Sequence, residues 1–317
     1  MLGTMSFPPY RYAMFGLNVA SDVALPIRTP LASADGPIDV TMRLGDVPER
    51  LETACQHGPN WWADAQRFLL DLPGVGRFLA VDGCRVTIQP APGVPADDIL
   101  IFAIGTAMAA ILYQRGAMLL HGAAVSHQGR VFIFCGPSGA GKSTLAAALG
   151  RAGCAFVSDD VCAIGHLDDG TPYVEPDGRV LRLYADSIEY AGLNDAVGSK
   201  VRMQVEKFHV IPPSREPPQA PPAGNVSPLA AIYMLADSNP VDTPGITRLS
   251  SISAAQALLR QSYRRRVALA YSQQGQPAAR TAALLSRIGV YNLHRPRDFA
   301  QLDDTVARLR AHWDQLG

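Results

Sequence analysis

The nine residues 136–144, which read GPSGAGKST, place the strongest constraint on the fold of this chain. They follow the apolar run 131–135 and precede the alanine-rich stretch 143–149. An apolar run without polar alternation is typical of a strand buried on both faces, and the alanine-rich stretch favours a helix. A second strand is predicted at 156–158. The order strand, glycine-rich loop, helix, strand predicts an α/β core.

The loop has the full pattern GxxxxGK[ST], whose residue types bind nucleotide phosphates. Glycines let backbone N–H groups turn inward around phosphate oxygens, Lys142 can reach the β- and γ-phosphates, and Ser143 can ligate Mg²⁺. We therefore predict ATP and Mg²⁺ as ligands; the alternative is a glycine-rich turn that binds nothing. The predicted nucleotide-binding set is Gly136, Ser138, Gly139, Ala140, Gly141, Lys142, Ser143 and Thr144.

Two adjacent carboxylates, Asp159 and Asp160, follow the predicted strand 156–158. Open α/β sheets place ligands at the carboxyl ends of their strands. Because strand side chains alternate, separate roles are expected, one aspartate holding Mg²⁺ and the other accepting a hydroxyl proton. We assign Asp159 with Ser143 to the metal and both aspartates to the catalytic set, and either could be the base. The alternative is a solvated strand end or a helix N-cap.

His121 precedes a glycine in the strand-like segment 118–125. A lone histidine among apolar residues is usually structural, yet Gly122 allows a close backbone approach, so His121 joins the catalytic candidates for electrostatic or proton-transfer work. Arg182 alternates with apolar neighbours and could point into a cleft. The weaker candidates for phosphate contacts are 264–266, read as a solvated helix end, together with Lys200, Arg202 and Lys207.

Composition excludes several classes of protein. The 28 Lys and Arg balance 28 Asp and Glu, which argues against binding nucleic acid through a broad basic surface. The five cysteines contain no CxxC pair, which argues against a zinc site and fits a reducing cytoplasm. The N-terminal residues lack a signal-peptide core, and the longest apolar run, 99–113, is shorter than a bilayer span of about 20 residues. It is predicted to be a buried helix, with no membrane partner.

Two regions are expected along the chain. Residues 1–117 predict a β-rich α+β region, a candidate for peptide binding, with a hairpin at Asp82-Gly83 and a final apolar helix from about Asp97 to Gly116. Residues 118–317 form the predicted catalytic domain. Within it, 211–228 is a proline-rich loop, 229–236 a strand, Ser253-x-x-Gln256 a capping box, and 302–313 a helix with a buried face.

The motifs LeuHisGly at 120–122, GPSGAGKST at 136–144 and SerAspAsp at 158–160 together resemble the catalytic domain of HPr kinase/phosphorylase. The resemblance implies a fold of the HPr kinase and phosphoenolpyruvate carboxykinase type, and transfer of phosphate from ATP to a protein serine. It also implies a homo-oligomer, with His121 beside the γ-phosphate and the two aspartates as base and metal contact. The family's glycine-rich signature after the aspartates is replaced by LRLYADS at 181–187, so phosphorolysis and HPr as substrate are not carried over.

The layout of the whole chain is similar to the HPr-kinase-related proteins encoded with lasso peptide biosynthesis, through QRG at 114–116 and LLRQSYR at 258–264. This resemblance implies an ATP- and Mg²⁺-dependent kinase that phosphorylates a serine of a lasso precursor peptide, at its C-terminus. Two alternatives stay open. One is a small-molecule kinase, and the other is a regulatory nucleotide switch that uses Asp237 after the predicted strand 229–236.

Overall fold

The structure, a computed structural model, describes residues 8–27, 36–202, 205–211, 227–235, 244–271 and 277–316. They form a mixed α/β fold with several sheets. The chain divides into two compact units: the first is Met1–Met118 with Arg264–Gln276, and the second is Leu119–Tyr263 with Pro277–Gly317. Most of the predicted proline-rich loop 211–228, and Ala236 and Asp237, lie outside the described residues.

The described strands, in chain order, are β1 (Tyr10–Met14), β2 (Leu17–Ser21), β3 (Val40–Leu44), β4 (Gln56–Gly58), β5 (Trp61–Ala63), β6 (Arg67–Leu72), β7 (Gly76–Val81), β8 (Arg85–Pro90), β9 (Met118–Leu120), β10 (Gly122–His127), β11 (Arg130–Cys135), β12 (Ala155–Asp159), β13 (Cys162–His166), β14 (Pro172–Glu175), β15 (Leu181–Tyr184), β16 (Val197–Arg202), β17 (Val205–Val210), β18 (Leu229–Leu235), β19 (Gly245–Arg248) and β20 (Gly289–His294).

The described α-helices are α1 (Ala96–Phe102), α2 (Met108–Gln114), α3 (Lys142–Arg151), α4 (Ala185–Ala191), α5 (Ser251–Arg260), α6 (Arg265–Ala270), α7 (Pro277–Leu285) and α8 (Leu302–Asp314). A π-helical segment, Ala103–Ala107, joins α1 to α2 without a break. Short 3₁₀ turns occupy Asn194–Ala196 and Phe299–Gln301.

The first unit contains an eight-stranded sheet in the order β1-β2-β3-β8-β7-β6-β5-β4. The predicted hairpin is confirmed: β7 and β8 pair antiparallel from Val81↔Arg85 outward, and Asp82 and Gly83 adopt φ of 53° and 65°. A turn with two left-handed residues matches the twist of the strands that it joins, which is why Asp-Gly favours a hairpin.

The apolar helix of the first unit runs continuously from Ala96 to Gln114. Asp97 and Asp98 lie in its first turn, where carboxylates suit the helix dipole, and Gly116 follows it at φ 79°. Its 19 residues and mean hydropathy of 1.7 over an 18-residue window would suffice to cross a membrane by length and composition. However, 72% of that window is buried, as in the core helix that the sequence predicts.

The second unit is built around a six-stranded sheet in the order β12-β10-β11-β18-β20-β19. Strands β11, β18 and β20 are parallel, whereas β10 is antiparallel to both β11 and β12. The carboxyl ends of β11, β12, β18 and β20 therefore lie at one edge of the sheet, together with the amino end of β10. The register confirms this arrangement, since Gly122 pairs with Cys135 and Ala123 with Asp159.

Helices α3 and α8 complete the core of this unit. The predicted helical face of the C-terminus is confirmed, because Leu302, Val306, Leu309 and Trp313 are all buried. The indole of Trp313 stacks on Phe132 of β11, with ring centroids 4.0 Å apart. The predicted strand at 229–236 is present as β18. Apolar residues of α3, α8 and the sheet strands form one buried hydrophobic core.

The segment 118–125, predicted as one strand, is broken at His121. β9 joins a small sheet in the order β14-β13-β9, and β10 joins the six-stranded sheet. Gly122 permits the break, because a Cβ at this position would lie 2.9 Å from the carbonyl oxygen of Phe134. His121 thus occupies the corner between two sheets and not the interior of a strand.

Two expectations about the residues around α5 are wrong. The N-cap of α5 is Ser250, whose hydroxyl accepts the backbone N–H of Ser253, so the capping box predicted at Ser253 lies inside the helix. The arginines 264–266 do not end this helix, which stops at Arg260. They begin α6, after Arg264 adopts a left-handed φ of 47°. The residue at which a helix begins depends on the tertiary contacts of the preceding segment, so the spacing of serine and glutamine alone does not identify the N-cap.

Candidate active site

The glycine-rich loop 136–144 connects β11 to α3 at the carboxyl edge of the six-stranded sheet. Gly139 and Gly141 have φ of 81° and 83°, a left-handed conformation that side chains with a Cβ rarely adopt. Lys142 is buried, and its Nζ donates to the carbonyl oxygens of Gly136 (2.8 Å) and Pro137 (2.9 Å). Burial lowers the pKa of this lysine, in spite of the attraction of nearby carboxylates.

Ser143, the first hydroxyl residue of α3, is bonded to the end of β12. Its Oγ donates to Oδ1 of Asp159 at 2.7 Å. Asp159 is buried, and its other carboxylate oxygen accepts the backbone N–H of Arg182 at 3.0 Å. Both oxygens of this carboxylate are therefore held in place, and its orientation is fixed before any ligand binds.

The Ser143 and Asp159 oxygens fit a magnesium ion. Mg²⁺ prefers oxygen ligands and is usually held by one or two carboxylates together with substrate phosphates and water. In the part of the chain that the structure describes, no group of three or more His, Cys, Asp or Glu side chains could hold a metal by itself. A magnesium ion bound here would accordingly be shared between these two side chains and a phosphate ligand.

Asp160 differs from Asp159 in both backbone and partners. Its φ of 82° is left-handed and turns the side chain out of the strand direction. Its Oδ2 lies 2.7 Å from Nη2 of Arg182 and accepts the hydroxyl of Tyr263 at 3.3 Å. Burial alone would raise the pKa of this carboxyl, but the charges of Arg182 and Arg179 and a hydrogen bond from His121 hold it well below its usual range. Asp160 is therefore a carboxylate at neutral pH.

His121 approaches Asp160 from the corner between the two sheets. Its Nδ1 lies 3.3 Å from Oδ1 of Asp160 and 3.0 Å from the carbonyl oxygen of the same residue. Its backbone N–H donates to the carbonyl of Gln261 at 2.7 Å, which anchors the corner. The imidazole is about one-third exposed, with 32% of its side chain accessible, so it can reach a ligand while touching Asp160.

One cleft of about 340 Å³ brings the predicted site residues together. Its lining contains His121, Asp159, Asp160, Arg182 and every predicted loop residue from Ser138 to Thr144. The sequence candidates Lys200 and 264–266 are absent from that lining, and Lys200 pairs instead with Glu206. Lys207 does line the cleft, whereas the structure does not describe the side chain of Arg202.

Sequence reasoning missed a second group of lining residues, which follows β20. Arg295 donates from Nη2 to the carbonyl oxygen of Ala140 at 2.7 Å, and it packs so closely that a Cβ on Gly141 would lie 2.5 Å from that nitrogen. Arg297 and Phe299 line the cleft next to it. The sequence did show the basic segment 295–297 directly after an apolar strand. The segment reaches the cleft because β20 is parallel to β18, so that both strands end at the same edge of the sheet, and the sequence alone does not give that pairing.

A buried carboxyl, Asp177, lies behind the site. Its oxygens accept the backbone N–H groups of Arg179 (3.0 Å) and Asp159 (3.3 Å), and the side chain is fully buried. Burial raises its pKa to about 6 from 3.8, with a smaller contribution from the charge of Asp159, while Arg179 acts in the opposite direction.

This raised pKa predicts a specific dependence of stability on pH. Because the folded state binds the proton of Asp177 more tightly than the unfolded state, the free energy of unfolding falls as the pH rises from about 4 to above 6. We expect the Asp177→Asn variant, which cannot ionise, to gain up to about 3 kcal/mol relative to the original chain over that interval. Urea unfolding of both proteins across the interval measures the difference; a difference that is constant with pH contradicts the assignment.

No protein-family model and no curated protein sequence matches the chain. Among solved structures, the chain is similar to the HPr(Ser) kinase/phosphatase from Coxiella burnetii. The two are 14% identical, the match covers 62% of this chain and 92% of that one, and the TM-score is 0.30.

Proposed function

We propose that this protein is an ATP- and Mg²⁺-dependent kinase that phosphorylates a serine hydroxyl of a peptide or protein, on a P-loop core of the HPr kinase and phosphoenolpyruvate carboxykinase type. The observation that carries the proposal is the hydrogen bond of 2.7 Å between Ser143 and Asp159, with the Asp160 carboxylate held in the same cleft. The bond connects the glycine-rich loop to the proposed metal ligand Asp159, and the same cleft contains the proposed base Asp160.

The phosphate side of the reaction belongs to the loop and Lys142. Inward-facing backbone N–H groups and the start of α3 attract the phosphates, as at other helix N-termini that follow glycine-rich loops. The Nζ of Lys142 exchanges the carbonyl oxygens of Gly136 and Pro137 for phosphate oxygens when the nucleotide binds. Because Lys142 is buried, its charge acts on the phosphates with little screening by water.

Ser143 and Asp159 are the residues that would hold magnesium. When bound, the ion neutralises negative charge on the β- and γ-phosphates. Asp159 suits this task better than the task of base, because its two oxygens are already directed towards Ser143 and the Arg182 backbone. The assignment leaves Asp160 for the acceptor hydroxyl.

Asp160 is the proposed base. The serine Oγ attacks the γ-phosphorus, the bond from that phosphorus to the β–γ bridging oxygen breaks, and ADP leaves with the bond's electrons. The hydroxyl proton passes to Asp160. Its low pKa, set by Arg182, is compatible with this role, since positioning and charge stabilisation dominate phosphoryl transfer. His121 orients the carboxylate through the contact between Nδ1 and Oδ1.

The acceptor that we propose is the C-terminal serine of a lasso precursor peptide, on the sequence resemblance in the segments 114–116 and 258–264. The homo-oligomeric assembly and the cytoplasmic location implied by composition and resemblance are part of the same proposal. The catalytic chemistry does not depend on these three statements, because it needs only a serine hydroxyl in the cleft.

The test is to incubate the full chain with ATP, Mg²⁺ and a serine-containing precursor peptide and to measure the intact peptide mass. We expect a gain of one phosphate, located on a single serine by fragmentation, and no gain when that serine is replaced by alanine. Formation of ADP with every peptide unmodified would contradict a peptide acceptor. A metabolite phosphorylated instead would indicate a small-molecule kinase, and phosphate release alone would indicate a nucleotide switch.

A further inference from the structure

The small sheet β15-β17-β16 presents one polar face and one apolar face. In the antiparallel pairing of β15 and β17, Tyr184 lies opposite Lys207, and Leu183 lies opposite Phe208. Side chains alternate along a strand, so Arg182, Tyr184 and Lys207 share one face. Leu181 and Leu183 lie on the other face and belong to the hydrophobic core. The three side chains of the polar face all line the cleft that contains the glycine-rich loop.

Three cationic side chains of this cleft, Arg182, Lys142 and Lys207, have different ionic and hydrogen-bonding partners. Arg182 is paired with Asp160 at 2.7 Å, and Lys142 is bonded to two carbonyl oxygens of its own loop. Lys207 is half-buried, and among the described residues no carboxylate lies within 4.0 Å of its ammonium. The ring of Tyr184 lies beside it, with its centroid 5.5 Å from Nζ. Even a partly buried charge without an ionic partner carries a desolvation cost, which an anionic ligand would offset.

The electrostatic surroundings of Lys207 indicate which ligand that is. Burial lowers its pKa, Asp159 and Asp160 attract its charge, and Arg182 repels it. The charge of Lys207 also lowers the pKa of Lys142. Burial is the larger cause of that shift, and the nearby carboxylates act in the opposite direction. The charge of Lys207 therefore interacts with those of both Arg182 and Lys142 in a single cleft. An anion with several charges, placed among them, would relieve this repulsion.

We propose that Lys207 is a further catalytic residue, which binds the terminal phosphoryl group of the nucleoside triphosphate as it is transferred. This inference rests on the proposed function, because it assigns Lys207 to the γ-phosphoryl group that moves from ATP to the serine and leaves ADP behind. Lys207 lies within the electrostatic influence of both the proposed metal ligand Asp159 and the proposed base Asp160. With Asp159 assigned to magnesium and Asp160 to the acceptor hydroxyl, the phosphoryl group in transfer would lie between those two side chains. In this role the ammonium of Lys207 donates hydrogen bonds to the phosphoryl oxygens.

The test compares Lys207→Met with Lys200→Met. Methionine keeps the length of the side chain and removes its charge. Lys200 belongs to the same small sheet but is exposed, pairs with Glu206 and is absent from the cleft. Affinities of the full-length variants for fluorescent ATP and ADP are measured with Mg²⁺, together with the rate of a single turnover. Thermal unfolding verifies that both variants are folded.

We expect Lys207→Met to weaken ATP binding about 10-fold and to change ADP binding less than about 2-fold, since ADP lacks the terminal phosphate. The single-turnover rate should fall about 100-fold, as expected when one charged donor to a transferred group is removed. Lys207→Arg should recover part of both losses, and Lys200→Met should leave all three values unchanged.

Three results would overturn the inference: equal losses of ATP and ADP affinity, no loss of either, or an effect confined to the KM of the acceptor peptide. Comparing ATP with ADP needs no acceptor. The inference can therefore fail while the original chain still transfers phosphate. Conversely, selective loss of ATP affinity in a chain that phosphorylates no peptide would contradict the proposed function and leave the phosphate subsite in place.

Discussion

Replacing Lys142 with alanine is expected to abolish ATP-dependent phosphoryl transfer. The Nζ of Lys142 is the charge within the glycine-rich loop, and burial leaves it little screened by solvent. Removing one charged or polar donor at a developing negative charge costs about 10²- to 10³-fold in rate. Loss of ground-state phosphate contacts should weaken ATP binding as well, so transfer at ordinary ATP concentrations should fall below detection.

The fold should tolerate this substitution. Alanine leaves the carbonyl oxygens of Gly136 and Pro137 without their donor, but it also removes a cation from a cleft that contains Arg182 and Lys207. Urea unfolding should therefore show a small change, and inorganic triphosphate should bind more weakly together with ATP. Lys200→Ala is the matched control, because it removes an exposed lysine from outside the cleft. A folded Lys142→Ala variant with the original rate would contradict phosphate binding by this loop.

Replacing Asp160 with asparagine is the second change with a large expected effect. Asparagine keeps the shape of the side chain but cannot accept the hydroxyl proton, so transfer should fall by about 10²- to 10⁴-fold. ATP affinity should be retained or increased, because a negative charge near the phosphates is removed. Single-turnover rates and nucleotide titrations measure the two effects separately. Asp186→Asn, which changes another carboxylate of the cleft lining, is the control and should stay close to the original rate.

Stability must be separated from chemistry for this variant. Arg182 lies 2.7 Å from Asp160 and is largely buried, and removing one partner of such a pair costs about 3–5 kcal/mol. The double variant Asp160→Asn, Arg182→Met removes both charges and should regain much of the lost stability without regaining transfer. A folded Asp160→Asn variant that transfers phosphate at the original rate would contradict the role of base and would point to Asp159.

Local patterns predicted those parts of the fold that are determined locally. In the loop 136–144, Gly139 and Gly141 adopt a left-handed backbone conformation that favours glycine, so the sequence itself specifies the turn. A strand and a helix flank the loop, which is the context that this motif requires. The Asp82-Gly83 hairpin and the buried face of α8 were predicted for the same reason. In each case neighbouring residues supply the deciding interaction, either a turn geometry or a periodic apolar face.

The arrangement of the site depends on interactions between distant residues. The sequence placed Asp159 and Asp160 after a strand, but the left-handed backbone of Asp160 and its pairing with Arg182 appear only in the folded chain. The same holds for Arg295, which reaches Ala140 across 155 positions of sequence.

By itself, then, the sequence determined the GxxxxGK[ST] motif, the α/β order of the elements around it and the choice of candidate catalytic residues. Only the tertiary structure decided that Arg264–Gln276 belongs to the first unit and that Lys207 shares a face with Arg182. The physical reason is that strand order and cross-strand register arise from the burial of apolar faces throughout a unit. A short stretch of sequence does not specify which distant strand will pair with it.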